Sequence, residues 1–190
     1  MNKLILLIIL LLTVNCKSQT NIIDAADVCN YNSINLNDGG LYLKDISNII
    51  MPYLGVWKWT SGNKEMTLTL IKQTKYHYTS GTDNYYADRL VGYYTYKENG
   101  LTIIDTSGDN LMDDYGLKVE FDIECGGGVV ASFFKDVKKE KSFIVVLKKL
   151  STTQMKFTGK VGEGTYQIGR TPTTVYLGST FPLEMVFTKQ

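Results

Sequence analysis

From Tyr53 onward the chain alternates apolar and polar residues with a period of two, and this alternation constrains its fold more than any other feature. The clearest run is 117–124, where Leu117, Val119, Phe121 and Ile123 alternate with Lys118, Glu120, Asp122 and Glu124. On a strand these residues form one apolar and one polar face; on a helix the apolar groups would scatter around the axis. Residues 56–60 put Trp57 and Trp59 on one face, and 66–70 set Met66, Leu68 and Leu70 against Thr67 and Thr69. The same rule covers 75–79, 90–97, 101–105, 129–135, 142–149, 154–161, 166–170 and 183–188. Turn signals separate the runs: Ser61-Gly62-Asn63, Asn99-Gly100, Ser107-Gly108-Asp109-Asn110 and Gly162-Glu163-Gly164. Short strands at this spacing predict an all-β domain, an antiparallel meander barrel of about eight to ten strands.

The N-terminus reads differently. Met1-Asn2-Lys3 is a short charged start, residues 4–12 are uninterruptedly aliphatic, and Thr13-Val14-Asn15-Cys16 leads into polar sequence. This is the three-part form of a secretory signal, and its apolar run is well short of the ~20 residues that span a bilayer. Leu12-Thr13-Val14-Asn15-Cys16 resembles a lipoprotein box, with Asn15 in place of the usual Gly or Ala. It predicts a signal peptide over 1–15 and a lipid on Cys16. The rival is cleavage after Ser18, which releases a secreted or periplasmic protein. Residues 17–19 carry no acidic export cue, so the expected location is the outer membrane, facing the periplasm. Residues 16–40, rich in Asn, Asp and Ser, read as a tether and irregular arm. The barrel domain then occupies 41–190. Asp45 is placed to cap a brief helix through Ile46, Ile49 and Ile50, which Pro52 ends before the first barrel strand.

The 20 basic and 19 acidic side chains nearly cancel, and loss of the leader removes Lys3 and balances them. A neutral chain lacks the basic field that nonspecific binding to nucleic acid or an anionic membrane requires. If Cys16 is lipidated, Cys29 and Cys125 remain, either as a disulfide pinning the arm to a hairpin or as two lone thiols.

Candidate chemistry is sparse. His77 is the single histidine, and no Gly-x-Ser-x-Gly elbow accompanies it. One histidine and distant thiols do not make a zinc site. The loop with Asp105, Asp109, Asp113 and Asp114 is rich in oxygen but lacks EF-hand spacing, so an acidic turn is expected. Gly126-Gly127-Gly128 reads as a turn. The suggestive feature is aromatic. Trp57, Trp59, Tyr76, Tyr78, Tyr94 and Tyr96 are candidate ligand-binding residues, since tyrosine offers an apolar face with a polar tip. Cross-strand aromatic pairing that stabilises a hairpin is the plainer alternative.

Two resemblances add to this. Residues 39–45, 53–59 and 85–96, which include Gly55-Val56-Trp57-Lys58-Trp59 and Tyr93-Tyr94-Thr95-Tyr96, resemble an uncharacterised family of small flavobacterial lipoproteins. That likeness implies an exported β-protein and brings no activity. Gly55-Val56-Trp57 also resembles the opening Gly-x-Trp of lipocalins, whose tryptophan packs across the closed barrel end behind a short helical turn; a tryptophan in any β core is the alternative. The expectation is therefore an exported, membrane-anchored binding module for a small apolar or amphipathic ligand, not an enzyme, with no cofactor and no nucleic-acid partner. The alternative is a structural or adaptor lipoprotein of the envelope that acts through its surface; a hydrolase is the least favoured reading.

Overall fold

The alternating runs pair with their sequence neighbours, and eight of them close into a ring. The computed structural model describes residues 21–31, 34–112, 117–124, 128–160, 165–168, 171–174 and 178–190. Its strands are β1 (Asn21–Asp24), β2 (Leu41–Lys44), β3 (Gly55–Ser61), β4 (Lys64–Tyr78), β5 (Tyr85–Glu98), β6 (Leu101–Asp105) and β7 (Val119–Glu124). They continue as β8 (Gly128–Asp136), β9 (Lys141–Lys149), β10 (Gln154–Lys160), β11 (Thr165–Ile168), β12 (Thr171–Thr174) and β13 (Glu184–Lys189).

The ring runs β3–β4–β5–β7–β8–β9–β10–β13 and returns to β3, antiparallel throughout. Leu90↔Phe121, Val91↔Glu120 and Gly92↔Val119 close it on one side. Thr188↔Lys58 and Lys189↔Trp57 close it on the other. The β11–β12 hairpin is a separate two-stranded sheet inserted between β10 and β13. Pro172 is tolerated there because both strands are edges. Alternation becomes burial most plainly on β9, where Phe143, Val145 and Leu147 face in while Ile144, Val146 and Lys148 face out.

Two local devices shape the β4–β5 hairpin. Gly92 sits where a Cβ would lie 2.1 Å from the Thr69 carbonyl oxygen, so only glycine lets the strands approach that closely. Further along β4 the register shifts between Gln73 and Tyr76, with Lys75 at φ 57°. One extra residue flips every later side chain to the opposite face.

Several sequence expectations need correction. The runs 66–70 and 75–79 are one bent strand, β4, not two. The arm over 17–40 is not wholly irregular: β1 pairs in parallel with β2, which pairs in parallel with β5. A parallel ladder depends on a partner brought in from afar, and no local pattern announces it. The helix expected from Asp45 is also absent. The Asp45 carboxylate does accept from the Ile49 and Ile50 amides, at 2.6 and 3.3 Å, but it caps a bend. The turn of helix that leads into β3 is a 3-10 turn, Met51–Tyr53, with Pro52 inside it. Proline suits a first turn because its missing N–H has no partner there anyway. A second 3-10 turn, Ala25–Asn30, carries Cys29 and packs against β1, β2 and β7. Cys29 is disulfide-bonded; Cys16 and Cys125 lie outside the described residues.

Candidate functional site

The place to look for a ligand in a small barrel is its lumen, and this lumen is filled. Phe121, Phe134, Phe143, Phe157 and Phe187 are at most 1% exposed, and Met66, Leu68, Val119 and Val145 pack among them. Both ends are closed. At one end Trp57 lies fully buried behind the Met51–Tyr53 turn, its indole N–H donating to the Tyr53 carbonyl at 2.7 Å. Lys149 and Lys189 stand over its ring, 4.1 and 5.3 Å from the centroid. Burial, and then the neighbouring Lys189, push the Lys149 ammonium below its ordinary pKa. At the other end Phe181 plugs the ring, its centroid 5.5 Å from Tyr94, 5.8 Å from Phe134 and 5.7 Å from Phe143. The buried Asp136 carboxylate holds that plug, accepting from the Thr180 amide and hydroxyl at 2.7 and 2.9 Å.

Of the residues expected to bind a ligand, Trp57, Tyr94 and Tyr96 are therefore spent on the core, each 0% exposed. Tyr94 donates to the Lys135 carbonyl at 2.7 Å, and burial raises its pKa well above the usual tyrosine value. Tyr76 and Tyr78 are not with them. The β4 bulge turns both outward, beside Arg89. The Arg89 guanidinium lies 3.3 Å from the Tyr76 centroid, donates to Glu120 Oε1 at 2.8 Å and to Gln73 Oε1 at 2.7 Å, and is 1% exposed. Tyr78 donates to the same Glu120 oxygen at 2.7 Å and stacks on Tyr85 at 4.9 Å. Burial, with Asp83, Asp122 and Glu120 nearby, pushes the Tyr85 hydroxyl up to about 12.

Next to this cluster a second polar group is locked in. Lys72 Nζ lies 2.9 Å from Asp45 and 3.2 Å from Asp88, both nearly fully buried carboxylates. Tyr42 and the Lys75 and Asp45 amides also donate to Asp88. Burial raises the Asp88 pKa, but these donors and Lys72 outweigh it and hold the carboxyl below the usual range. Sequence reasoning missed Asp45, Lys72, Asp88, Arg89 and Glu120 as a set, because their spacings follow no motif.

Two of the concavities on the outer wall have apolar lining. One, of about 140 Å³, lies where β2 and β7 part along the edge of β5, under the Ala25–Asn30 turn. Leu43, Val28 and Ile123 are among its apolar sides, and Tyr78, Tyr85, Asp88 and Asp122 bring polar groups to it. It has room for one ring-sized group. The other is an open groove of about 470 Å³ between β3 and β13. The ladder there stops after two residue pairs although both strands continue. Trp59, Thr60, Lys156, Glu184, Met185 and Val186 line it. Trp59 faces the same way as Trp57, as its spacing predicts, but shows through the seam instead of being sealed.

His77 stacks on Tyr86 at 4.3 Å, and its Nε2 meets the Asn84 side-chain oxygen at 2.9 Å, so its described partners are an amide and a ring, with no nucleophile. Among the described residues no group of three His, Cys, Asp or Glu is arranged for a metal.

Fold and wall together define a class: a filled antiparallel meander barrel with its concavities on the outside. The chain belongs to a family of unknown function, DUF6705, whose model matches residues 1–190. No curated protein and no solved structure shows significant similarity to it.

Proposed function

We propose that the protein is an exported lipoprotein of the cell envelope, anchored through Cys16 and facing the periplasm, that serves as a non-catalytic binding module for a small amphipathic ligand held in the barrel wall. The observation that carries this reading is the contrast between a packed lumen and the β3–β13 seam, where strand pairing stops over a partly exposed tryptophan. The groove volume falls within the ~300–1,000 Å³ typical of ligand sites. Trp59 and Val186 offer an apolar surface to one end of a ligand, with Met185 buried beneath them. Lys156 and Glu184, 3.5 Å apart, offer charge to the other.

The leader supports the export half of the proposal, since its short apolar run ends at Cys16. Membrane fractionation of the Cys16→Ser protein tests the anchor: it should become soluble, and unchanged membrane association defeats the lipid. Titration with a medium-chain fatty acid and with its alcohol tests the groove. Tryptophan emission should shift in the native protein and much less in Trp59→Phe. An equal shift in Trp59→Phe would take the ligand away from the seam.

A further inference from the structure

Net charge near zero conceals a separation of signs. Residues 135–160 hold eight lysines against two carboxylates, whereas residues 21–124 hold fifteen carboxylates against eight basic groups. The two stretches meet where β8 pairs with β7, but round the eight-stranded ring β9 stands three strands from β5 and β10 three strands from β7.

On β9 and β10 the lysines form an outward face. Lys148 sits directly opposite Lys156, and Lys160 opposite Ile144. Ile144 and Val146 are 55% and 39% exposed between them. Like charges facing each other across a ladder are unfavourable by themselves. Among the described residues Lys156 reaches Glu184, while Lys148 and Lys160 have no carboxylate partner. Three strands from β10, β7 turns Glu120, Asp122 and Glu124 outward in one row, with Glu120 already bound by Arg89 and Tyr78. Beside that row lies the small pocket with Tyr78, Tyr85 and Asp122 on its rim and Leu43, Val28 and Ile123 on its sides. This is the chemistry of a lysine receptor: apolar walls for the methylenes, with carboxylate and aromatic rings for the ammonium.

We infer that the lysine face of β9–β10 docks onto the acidic, tyrosine-lined β5–β7 wall of a second copy of this chain. The contact joins two different patches, so it is heterologous and continues into chains or larger rings. Lys148 or Lys160 of one copy enters the pocket of the next, and Ile144 and Val146 cover its apolar edge. The inference requires neither the lipid nor the seam groove.

Sedimentation velocity on the Cys16→Ser protein without its leader tests this with both excluded. Association that grows with concentration is expected in low salt and should disappear in high salt, as screening demands. Lys148→Gln/Lys160→Gln should be monomeric alone, and so should Asp122→Asn/Glu124→Gln. Mixed in equal amounts they should form a one-to-one dimer and nothing larger, since each supplies the wall that the other lacks. That recovery also shows that both variants are folded. A wild-type protein that stays monomeric in low salt overturns the inference, as does association indifferent to the four substitutions or a mixture that gives no dimer. Binding of a monomeric wild type to phosphatidylglycerol vesicles through Lys148 and Lys160 would hand the face to a membrane and likewise overturn it.

Discussion

The wall built by β4, β5 and β7 and the wall built by β9 and β10 are both charged and use that charge in opposite ways. On the first, cations are taken inside and surrounded: Lys72 between Asp45 and Asp88, Arg89 between Glu120, Gln73 and Tyr76. On the second, Lys148 and Lys160 stand in solvent with apolar Ile144 and Val146 between them. A buried, fully partnered charge fixes one arrangement of its neighbours and is costly to strip of its partner. An exposed lysine adds little to stability and remains available to another molecule. The first wall holds the fold together where β2, β4, β5 and β7 converge, and the second leaves its binding potential unspent.

Removing a cation from the first wall should give the largest effect. Lys72→Met leaves two buried carboxylates side by side, and Arg89→Met strips Glu120 of its cation and leaves it the Tyr78 hydroxyl. Each should cost about 3–5 kcal/mol in urea unfolding. The pH dependence follows from Asp88. Its folded pKa is depressed, so its contribution to wild-type stability is present above the unfolded value of about 3.9 and is lost as pH falls through the folded one. In Lys72→Met burial is no longer opposed by the lysine, and the deficit relative to wild type should shrink on acidification. A deficit constant with pH would separate Lys72 from the carboxylates.

The disulfide comes next. Cys29→Ser should cost roughly 2–4 kcal/mol and loosen the Ala25–Asn30 turn, measured by unfolding and by hydrogen exchange over that turn. Because Cys29 is bonded, lipidation of Cys16 leaves Cys125 as its partner. Peptide mapping of the mature protein should therefore find Cys29 linked to Cys125, and a Cys16–Cys29 linkage would refute the lipid anchor. A smaller effect probes the lumen. Leu68→Trp would be accepted in a hollow barrel but should cost about 1–3 kcal/mol here, by overpacking. The smallest belongs to the second wall. Lys148→Gln should change stability by less than about 0.5 kcal/mol, and a larger loss would mean that this wall also supports the fold.

Much of this was legible along the chain. The row from Val119 to Glu124 and the alternation through β9 appear as the sequence predicts, and Trp57 lies across one barrel end behind a helical turn. The ligand candidates were legible only as aromatic residues, not as a site. Tyr76 and Tyr94 are even-numbered members of adjacent strands and read alike in sequence. A single extra residue at Lys75 sends Tyr76 and Tyr78 to the outer wall while Tyr94 and Tyr96 stay in the core. Nor does any run of residues reveal that Asp45, Lys72 and Asp88 share one ion pair network, since each comes from a different element. The lysine surplus of 135–160 was visible in sequence but hidden by the overall balance of charge.

By itself the sequence determined most of the ring strands and, away from the β4 bulge, which face of each is apolar, because side-chain direction along extended backbone is fixed by the residue's own position in the alternation. Whether the ring is hollow or solid, where its wall parts, and which charges meet were decided only in three dimensions. Those outcomes depend on volumes and distances summed over eight strands, and a shift of one residue in one strand is enough to change them.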